Sequence, residues 1–586
     1  MTTFSRRYKF LSEYKTDFLV SLVLGILISV LEVFSITLVM PLLGESEGSS
    51  SLIYFFNRYL ETYSDRERIA LIAILIVVFT LLKSVFIYVK SLIAAKLRTS
   101  VTATYQKKCF KQIIDMPIAE FKKLKRGDLQ ILTTIHTNNM GIVAGKLLAS
   151  LHYPFIVVLT TALLLKISIS LTFLSLFATG LLFIGLKYLN VAADRRARLV
   201  SPSHKRLGVA LLEYLDGKKT IFLFDIGDYV RGLFDSKVEN YRDKVIDMEK
   251  LRGVVMPLGG FVTSLSLAII LIGSLYFGNI QKSVLLLFLV AFSRLSAPVN
   301  ALVQLRSSLS GDLPYLDEVH TFLDKDFGVS DTSEKNKLLL NDSIKLRDIS
   351  FKYPGSDSFL FNGLNLSINK GEKVTIVGGS GSGKSTLVNI LLGIEKPSDG
   401  DVVVDGEALT EELFIEWRKN IGVVSQDVFL FDDTILGNIT LEEKGQLTEW
   451  ILKVSSQASL DDFVNDNEAG FNHFVGENGG DLSGGQRQRI SIARALYRDP
   501  EIVIFDEATS ALDIKTEAEI QLTMNKLSKS FSKTLIYVTH RLSSIESDER
   551  VIVLEKGKIV EDGLRSELEN KRGWFFNLLN RELSGK

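Results

Sequence analysis

The stretch Gly378-Gly379-Ser380-Gly381-Ser382-Gly383-Lys384-Ser385 satisfies every fixed position of G-x-x-x-x-G-K-[ST] and decides the reading of the second half. The run Val374-Thr375-Ile376-Val377 feeds it as a strand, and a helix is expected to open near Ser385. The glycines let backbone N–H groups turn inward around a β-phosphate, while the helix directs its positive end there. Lys384 supplies a point charge to the β/γ oxygens, and the Ser385 hydroxyl, followed by Thr386, is placed to ligate Mg²⁺. Downstream, Ile502–Phe505 reads as a buried parallel strand ending in Asp506-Glu507, and Thr534–Val538 as another ending beside His540. Asp506 is expected to hold Mg²⁺, and Glu507 to orient and deprotonate an attacking water.

Ahead of this α/β half lie six apolar stretches, near 18–43, 69–89, 147–165, 168–186, 254–277 and 283–303. Each meets or approaches the roughly 20 residues that a helix needs to cross the hydrocarbon core. At 586 residues, with 46% hydrophobic and 23% charged residues, the chain divides into an apolar half and a polar half. The expected domains are an α-helical membrane domain over 1–325, a linker over 326–344 and an α/β P-loop ATPase domain over 345–586. The 68 basic and 68 acidic residues cancel, so nothing global points to nucleic acid. A single cysteine, Cys109, excludes an intrachain disulfide.

Loop charge gives an orientation. The segment 90–146 carries eleven Lys and Arg and 187–253 carries fourteen, against three in 44–68. The positive-inside rule then places both termini, both long loops and the ATPase half in the cytoplasm of a cell with this inner (plasma) membrane protein. The long loops keep helical periodicity, so spans two to five should continue as helices beyond the membrane, turning near Ile118–Phe121 and Phe222–Tyr229. Residues 1–17 read as a basic amphipathic segment and 52–60 as a short interfacial helix on the outer side.

With Leu482-Ser483-Gly484-Gly485-Gln486 followed by Arg487-Gln488-Arg489 and an alanine-rich helix over Ile490–Leu496, the second half resembles the ATP-binding cassette family. The resemblance implies two cassettes sandwiching two ATP molecules, with Ser483, Gly484, Gly485 and Gln486 of one subunit facing the γ-phosphate held by Lys384 of the other. It also assigns Tyr353 to stacking on adenine, Gln426 to Mg²⁺ and the attacking water, Asp513 to the opposite cassette, and His540 to the γ-phosphate. Val475-Gly476-Glu477 resembles an exporter-specific segment that touches the membrane domain's loops. A homodimer through paired ATPase domains is expected, because one chain holds every motif of both sites; a heterodimer is the alternative.

Three ionisable residues interrupt the spans: Glu32, Lys83 and Arg294. They lie roughly 16–22 Å from the outer ends at 1.5 Å per residue. Each costs about 2.5–3.5 kcal/mol if it faces lipid at that depth, so they should face a wet cavity or one another. One reading is a structural Glu32–Lys83 ion pair, the other a basic lining for an anionic group, with Lys90 extending the track. The segments Leu31-Glu32-Val33-Phe34, Ser293-Arg294-Leu295-Ser296-Ala297-Pro298 and Gly476-Glu477-Asn478-Gly479-Gly480 are similar to lipid-linked oligosaccharide flippases of bacterial protein glycosylation. Those carry arginines in their cavity; here the matching positions are Lys83 and, near Leu258, an apolar residue. An amphiphilic, anionic substrate moved among membrane lipids is the expectation. A lipid, drug or peptide exporter is the alternative, and an ATP-gated channel or regulator a further one.

Overall fold

The 51 residues from Asp65 to Asp115 contain neither glycine nor proline, and they form one unbroken helix. Its start is fixed by Glu67, whose carboxylate accepts the Ser64 backbone N–H at 3.0 Å. Its end is fixed by Pro117, which forces Met116 into the extended region. The computed structural model describes residues 9–38, 63–276, 281–325, 327, 338–442, 445–507 and 533–584. Two compact units emerge, Met1–Val329 and Ser330–Lys586.

In the first unit, α1 (Lys15–Thr37) precedes the long helix, α2 (Asp65–Asp115), and α3 (Thr137–Ser150), α4 (His152–Ile167), α5 (Ile169–Asp216), α6 (Gly227–Ser274) and α7 (Lys282–Leu323) follow. Ile74, Val77 and Leu81 of α2 are 64–66% exposed, as lipid-facing side chains should be. Five described segments are long and apolar enough to cross a membrane: Phe10–Thr37, Arg66–Asp115, Arg126–Ile167, Pro257–Ser274 and Lys282–Arg306. The expected fourth span, 168–186, is the start of α5, and most of its side chains beyond 180 lie outside the described residues. Ser168 turns extended between α4 and α5, so the tight break expected beside Lys166 is present. The third span is itself divided at Leu151.

Short helices at Ile118–Phe121 and Lys218–Leu223 cap the two long extensions, where the turns were expected. Phe222, Phe224 and Tyr229 stand exposed there. Among the described residues near the N-terminus, Phe10 is buried against Tyr105 and His320, with ring centroids 6.1 and 6.3 Å away. This part of the expected surface segment is therefore packed into the helix bundle. The expected outer helix at 52–60 lies outside the described residues.

The second unit carries β1 (Ser343–Phe351), β2 (Phe361–Asn369), β3 (Lys373–Val377), β4 (Asp399–Val404), β5 (Glu407–Ala408), β6 (Ile421–Val424), β7 (Ile502–Asp506), β8 (Thr534–Val538), β9 (Arg550–Glu555) and β10 (Lys558–Leu564). An antiparallel sheet runs β2-β1-β4-β5, and a second runs β10-β9-β3-β8-β7-β6 with β9, β3, β8, β7 and β6 parallel. One core joins the two sheets through Ile349, Phe361, Val374, Ile376, Leu387 and Trp417. A separate core gathers Leu430, Ile435, Val454, Leu482, Ile490 and Phe505. The cassette begins earlier than the expected linker allows. Leu340 is fully buried in the first core, and Asn341, Asp342 and Ser343 donate backbone N–H groups to Asp405 at 2.6–3.0 Å.

Candidate functional site

Parallel strands end at one edge of the sheet, and a ligand site belongs at that edge. β3 runs into the phosphate loop, β8 into His540, β7 into Asp506 and Glu507, and Gln426 stands exposed two residues beyond β6. The sequence scatters these groups over more than 160 residues, and the strand order β3-β8-β7-β6 sets them side by side.

The loop's shape depends on missing side chains. Gly381 and Gly383 have φ of 75° and 107°. A Cβ on Gly383 would stand 2.8 Å from the Phe361 ring, and one on Gly378 would stand 2.2 Å from the Leu554 carbonyl. Helix α8 (Lys384–Leu391) opens directly from Gly383. The Lys384 ammonium is 5% exposed and donates to Gly378 O at 3.0 Å and Gly379 O at 3.2 Å. Burial lowers its pKa, and the carboxylates of Glu507 and Asp506 oppose that shift. Ser382 Oγ is buried without a hydrogen-bond partner among the described residues, an orphan that suits a ligand oxygen. Ser380, Gly381 and Ser385 are exposed at the mouth, with Gly379 partly so. The Tyr353 hydroxyl lies 2.6 Å from Thr386 Oγ1, which tethers a half-exposed ring beside the loop.

Opposite, burial raises the Asp506 pKa, Glu507 beside it raises it further, and Lys384 opposes them. A carboxyl group whose ionised form is penalised in this way fits a site completed by a cation. Glu507 adopts φ 49°, a left-handed conformation that costs a non-glycine residue about 1–3 kcal/mol. Its N–H donates to Val538 O at 2.9 Å, and β7 and β8 pair Asp506 with Val538. That twist brings Glu507 Oε1 within 2.6 Å of His540 Nε2. A carboxylate and an imidazole in contact can share a proton, as removing one from water requires.

Ser483 caps α9 (Gly484–Tyr497) reciprocally: its Oγ accepts from Gln486 N at 3.2 Å, and Gln486 Oε1 accepts from Ser483 N at 2.8 Å. Gly484 is exposed and Gly485 buried, so the helix start presents bare backbone N–H groups. A cavity of about 720 Å³ lies against Ser483, Gly485 and Gln486. The signature belongs to the core around Leu482 and Ile490, whereas the phosphate loop's helix belongs to the core around Leu387. Asp513 lies outside the described residues.

Arg494 escaped the motif reading. Its guanidinium donates to Asn438 O at 2.7 Å, Phe429 O at 2.8 Å and Asn438 Oδ1 at 2.8 Å, tying α9 to the segment after Gln426. The available signal was an arginine inside an alanine-rich helix, a cation that burial obliges to find acceptors.

In the membrane unit, Lys83 Nζ lies 2.5 Å from Glu32 Oε2 and Arg294 Nη1 lies 3.5 Å from Glu32 Oε1. One carboxylate from α1 therefore meets cations from α2 and α7. The Glu32 side chain is 10% exposed, Lys83 21% and Arg294 56%. Arg294 thus has an acidic partner, which its own span lacks. Lys90 departs from the expected track: it is 2% exposed and lies 2.9 Å from His152 Nδ1. Helix packing covers the face that the seven-residue spacing shares with Lys83.

Two family models match the chain, one described as ABC transporter over 361–510 and one as ABC transporter transmembrane region over 18–299. The chain belongs to the ABC transporter family. It is 26% identical to a Shigella sonnei protein named ATP-dependent lipid A-core flippase and 27% identical to the Escherichia coli K12 protein of that name. Both alignments span 98% of this chain and 97% of the relative. The structure of a bacterial Atm1-family ABC exporter with ATP bound shares the fold, with a TM-score of 0.79 over 98% of each chain at 23% identity. This ABC exporter is a half-transporter with one membrane domain and one ATP-binding cassette, and ATP hydrolysis drives its transport.

Proposed function

We propose that this ABC exporter works as a homodimer that moves an anionic amphiphile, such as a lipid-linked oligosaccharide, out of the cytoplasmic leaflet of the inner membrane. The observation that carries the substrate reading is the half-exposed guanidinium of Arg294, held to Glu32 at only 3.5 Å. Glu32 holds Lys83 more closely, so two cations share one carboxylate and a positive charge is left over at membrane depth. A phosphate or carboxylate of a substrate can take that charge while its apolar tail stays near lipid. The relatives named for lipid A-core favour a lipid-borne glycan over a drug or peptide.

In the cassettes, Lys384 and the 378–383 loop hold the phosphates and Tyr353 stacks on adenine. Ser385, Asp506 and Gln426 hold Mg²⁺, which would neutralise charge on the transferring phosphoryl group. Glu507 takes the proton of the attacking water, with His540 in contact with it. Ser483, Gly484 and Gly485 complete the site of the opposite subunit. The separate cores of signature and phosphate loop support such sharing.

The test is reconstitution in vesicles with lipids bearing phosphorylated or neutral glycan headgroups. Lys83→Gln with Arg294→Gln should leave basal ATPase intact, and abolish its stimulation by, and the transport of, the phosphorylated lipid alone. Equal stimulation by neutral lipids in the parent protein would refute the anionic reading. Ion current in single-channel recordings would identify a gated channel in place of a pump.

A further inference from the structure

The described chain ends in a helix, Trp574–Ser584, to which the site reading assigns no task. It is fixed at its start by Glu561, whose carboxylate accepts the N–H groups of Trp574 at 2.9 Å and Phe575 at 2.7 Å. Phe575 is fully buried in a cluster with Val377, the residue before the phosphate loop, and Leu542, two residues after His540. In the last turn of the helix, Glu582 reaches the same place. Its Oε2 accepts Leu542 N–H at 2.6 Å, and its Oε1 accepts the Ser543 hydroxyl at 2.8 Å and Ser543 N–H at 3.4 Å. Leu542–Ser544 is a single helical turn beginning immediately after His540 and Arg541. Such a turn leaves its first N–H groups without partners, and a carboxylate satisfies them more strongly than water or a neutral acceptor does.

We propose that Glu582 is a positioning residue for His540, the carboxylate of the last helix holding the turn that sets the imidazole against Glu507. The proposal rests on the role given to the Glu507–His540 pair above. His540 itself is half-exposed, and the strand before it ends at Val538. Two elements restrain the backbone that carries the imidazole: β8 upstream and the Glu582-held turn downstream. Arg541 N–H, which donates to Thr539 Oγ1 at 2.9 Å, links the two across His540. Releasing the downstream restraint lets the imidazole drift from its 2.6 Å contact without touching the phosphate loop, Tyr353 or the signature. The loss should therefore fall on turnover and spare nucleotide affinity.

The experiment uses the full chain in lipid nanodiscs, with Glu582→Ala, Glu582→Gln and His540→Ala compared in steady-state ATPase. Glu582→Ala should lower kcat roughly ten- to a hundredfold, the range that small misplacements cost, with KM for ATP and the melting temperature unchanged. Hydrogen exchange in the 539–545 segment should rise while that of 374–390 stays as it was. Glu582→Gln, whose amide oxygen still accepts the Leu542 N–H, should recover most of the turnover. If His540→Ala cuts turnover but Glu582→Ala does not, the proposal is overturned and the His540 role stands. If His540→Ala turns over normally, both fall. A Glu582→Ala defect with a lowered melting temperature, or with exchange at 539–545 unaltered, would also overturn it by showing a general structural role.

Discussion

Replacing Glu32 by alanine isolates the membrane charge cluster. The carboxylate is 10% exposed and holds Lys83, 21% exposed, at 2.5 Å. Removing one partner of a well-buried pair costs about 3–5 kcal/mol, because the remaining charge keeps its desolvation and loses its counterion. Lys83 retains some water, and a lysine left to itself at mid-membrane costs about 2.5–3.5 kcal/mol. The looser contact to the half-exposed Arg294 adds at most about 1 kcal/mol. The expected loss for Glu32→Ala is therefore about 3–4 kcal/mol, or about 6–8 °C in apparent melting temperature at roughly 2 °C per kcal/mol. Thermal unfolding in one detergent, followed by loss of the helical circular-dichroism signal, reads it. The matched variant Glu32→Gln with Lys83→Met removes both charges of the close pair and should melt within about 2 °C of the parent, since the cation that loses Glu32 is the half-exposed Arg294. A single variant as stable as the parent would refute the pairing, as would a double variant as unstable as the single.

Glu507→Gln should keep ATP binding and lower hydrolysis at least a hundredfold, because an amide cannot accept the water's proton; phosphate release from purified protein measures it, and near-normal turnover would remove the general-base role. Mixing Ser483→Arg with Lys384→Ala subunits should leave one intact composite site in each mixed dimer. ATP-dependent closure measured in mixed dimers supports sharing between chains, and its loss counts against it. Gly383→Ala puts a Cβ at φ 107° and 2.8 Å from Phe361, so nucleotide affinity by equilibrium binding should fall at least tenfold, about 1.4 kcal/mol. Asp506 has a raised pKa, so its contribution to stability is present below the ordinary carboxylate range and lost as pH rises through the folded value. Asp506→Asn should accordingly raise the melting temperature of the nucleotide-free protein at pH 7, more than at pH 4, while abolishing hydrolysis; an unchanged melting temperature at pH 7 would contradict the burial argument.

The phosphate loop was legible because its chemistry fixes its backbone: a loop that wraps a phosphate needs glycines at left-handed positions, and those show in the sequence. The strands carrying Asp506 and His540 were legible from uninterrupted β-branched and aromatic runs. What the sequence withheld was contact across elements. Arg294 and Glu32 are 262 residues apart, and no periodicity within either helix reveals that they meet. Lys90 illustrates the same limit from the other side. Its spacing from Lys83 gives a shared helix face, but not the neighbour, His152, that closes over one end of it. Arg494 and Glu582 work through backbone acceptors and donors that belong to no motif. The early start of the cassette was hidden for a different reason: Asp405 organises 341–343 with backbone N–H groups, which every residue except proline offers.

The absence of glycine and proline from α2 has a mechanical consequence. At 1.5 Å per residue its 51 residues make a rod of about 77 Å, more than twice the hydrocarbon thickness. A tilt of about 5° about one end carries the other through roughly 7 Å, so a small turn there becomes a stroke of a helical turn or more at the far end. Helices α5, α6 and α7 carry Pro202, Pro257, Pro298 and Pro314 within their lengths, each a point where the hydrogen-bond ladder is interrupted and bending is cheap. One helix is thus geared to pass displacement on undiminished, while its partners can absorb part of it as curvature.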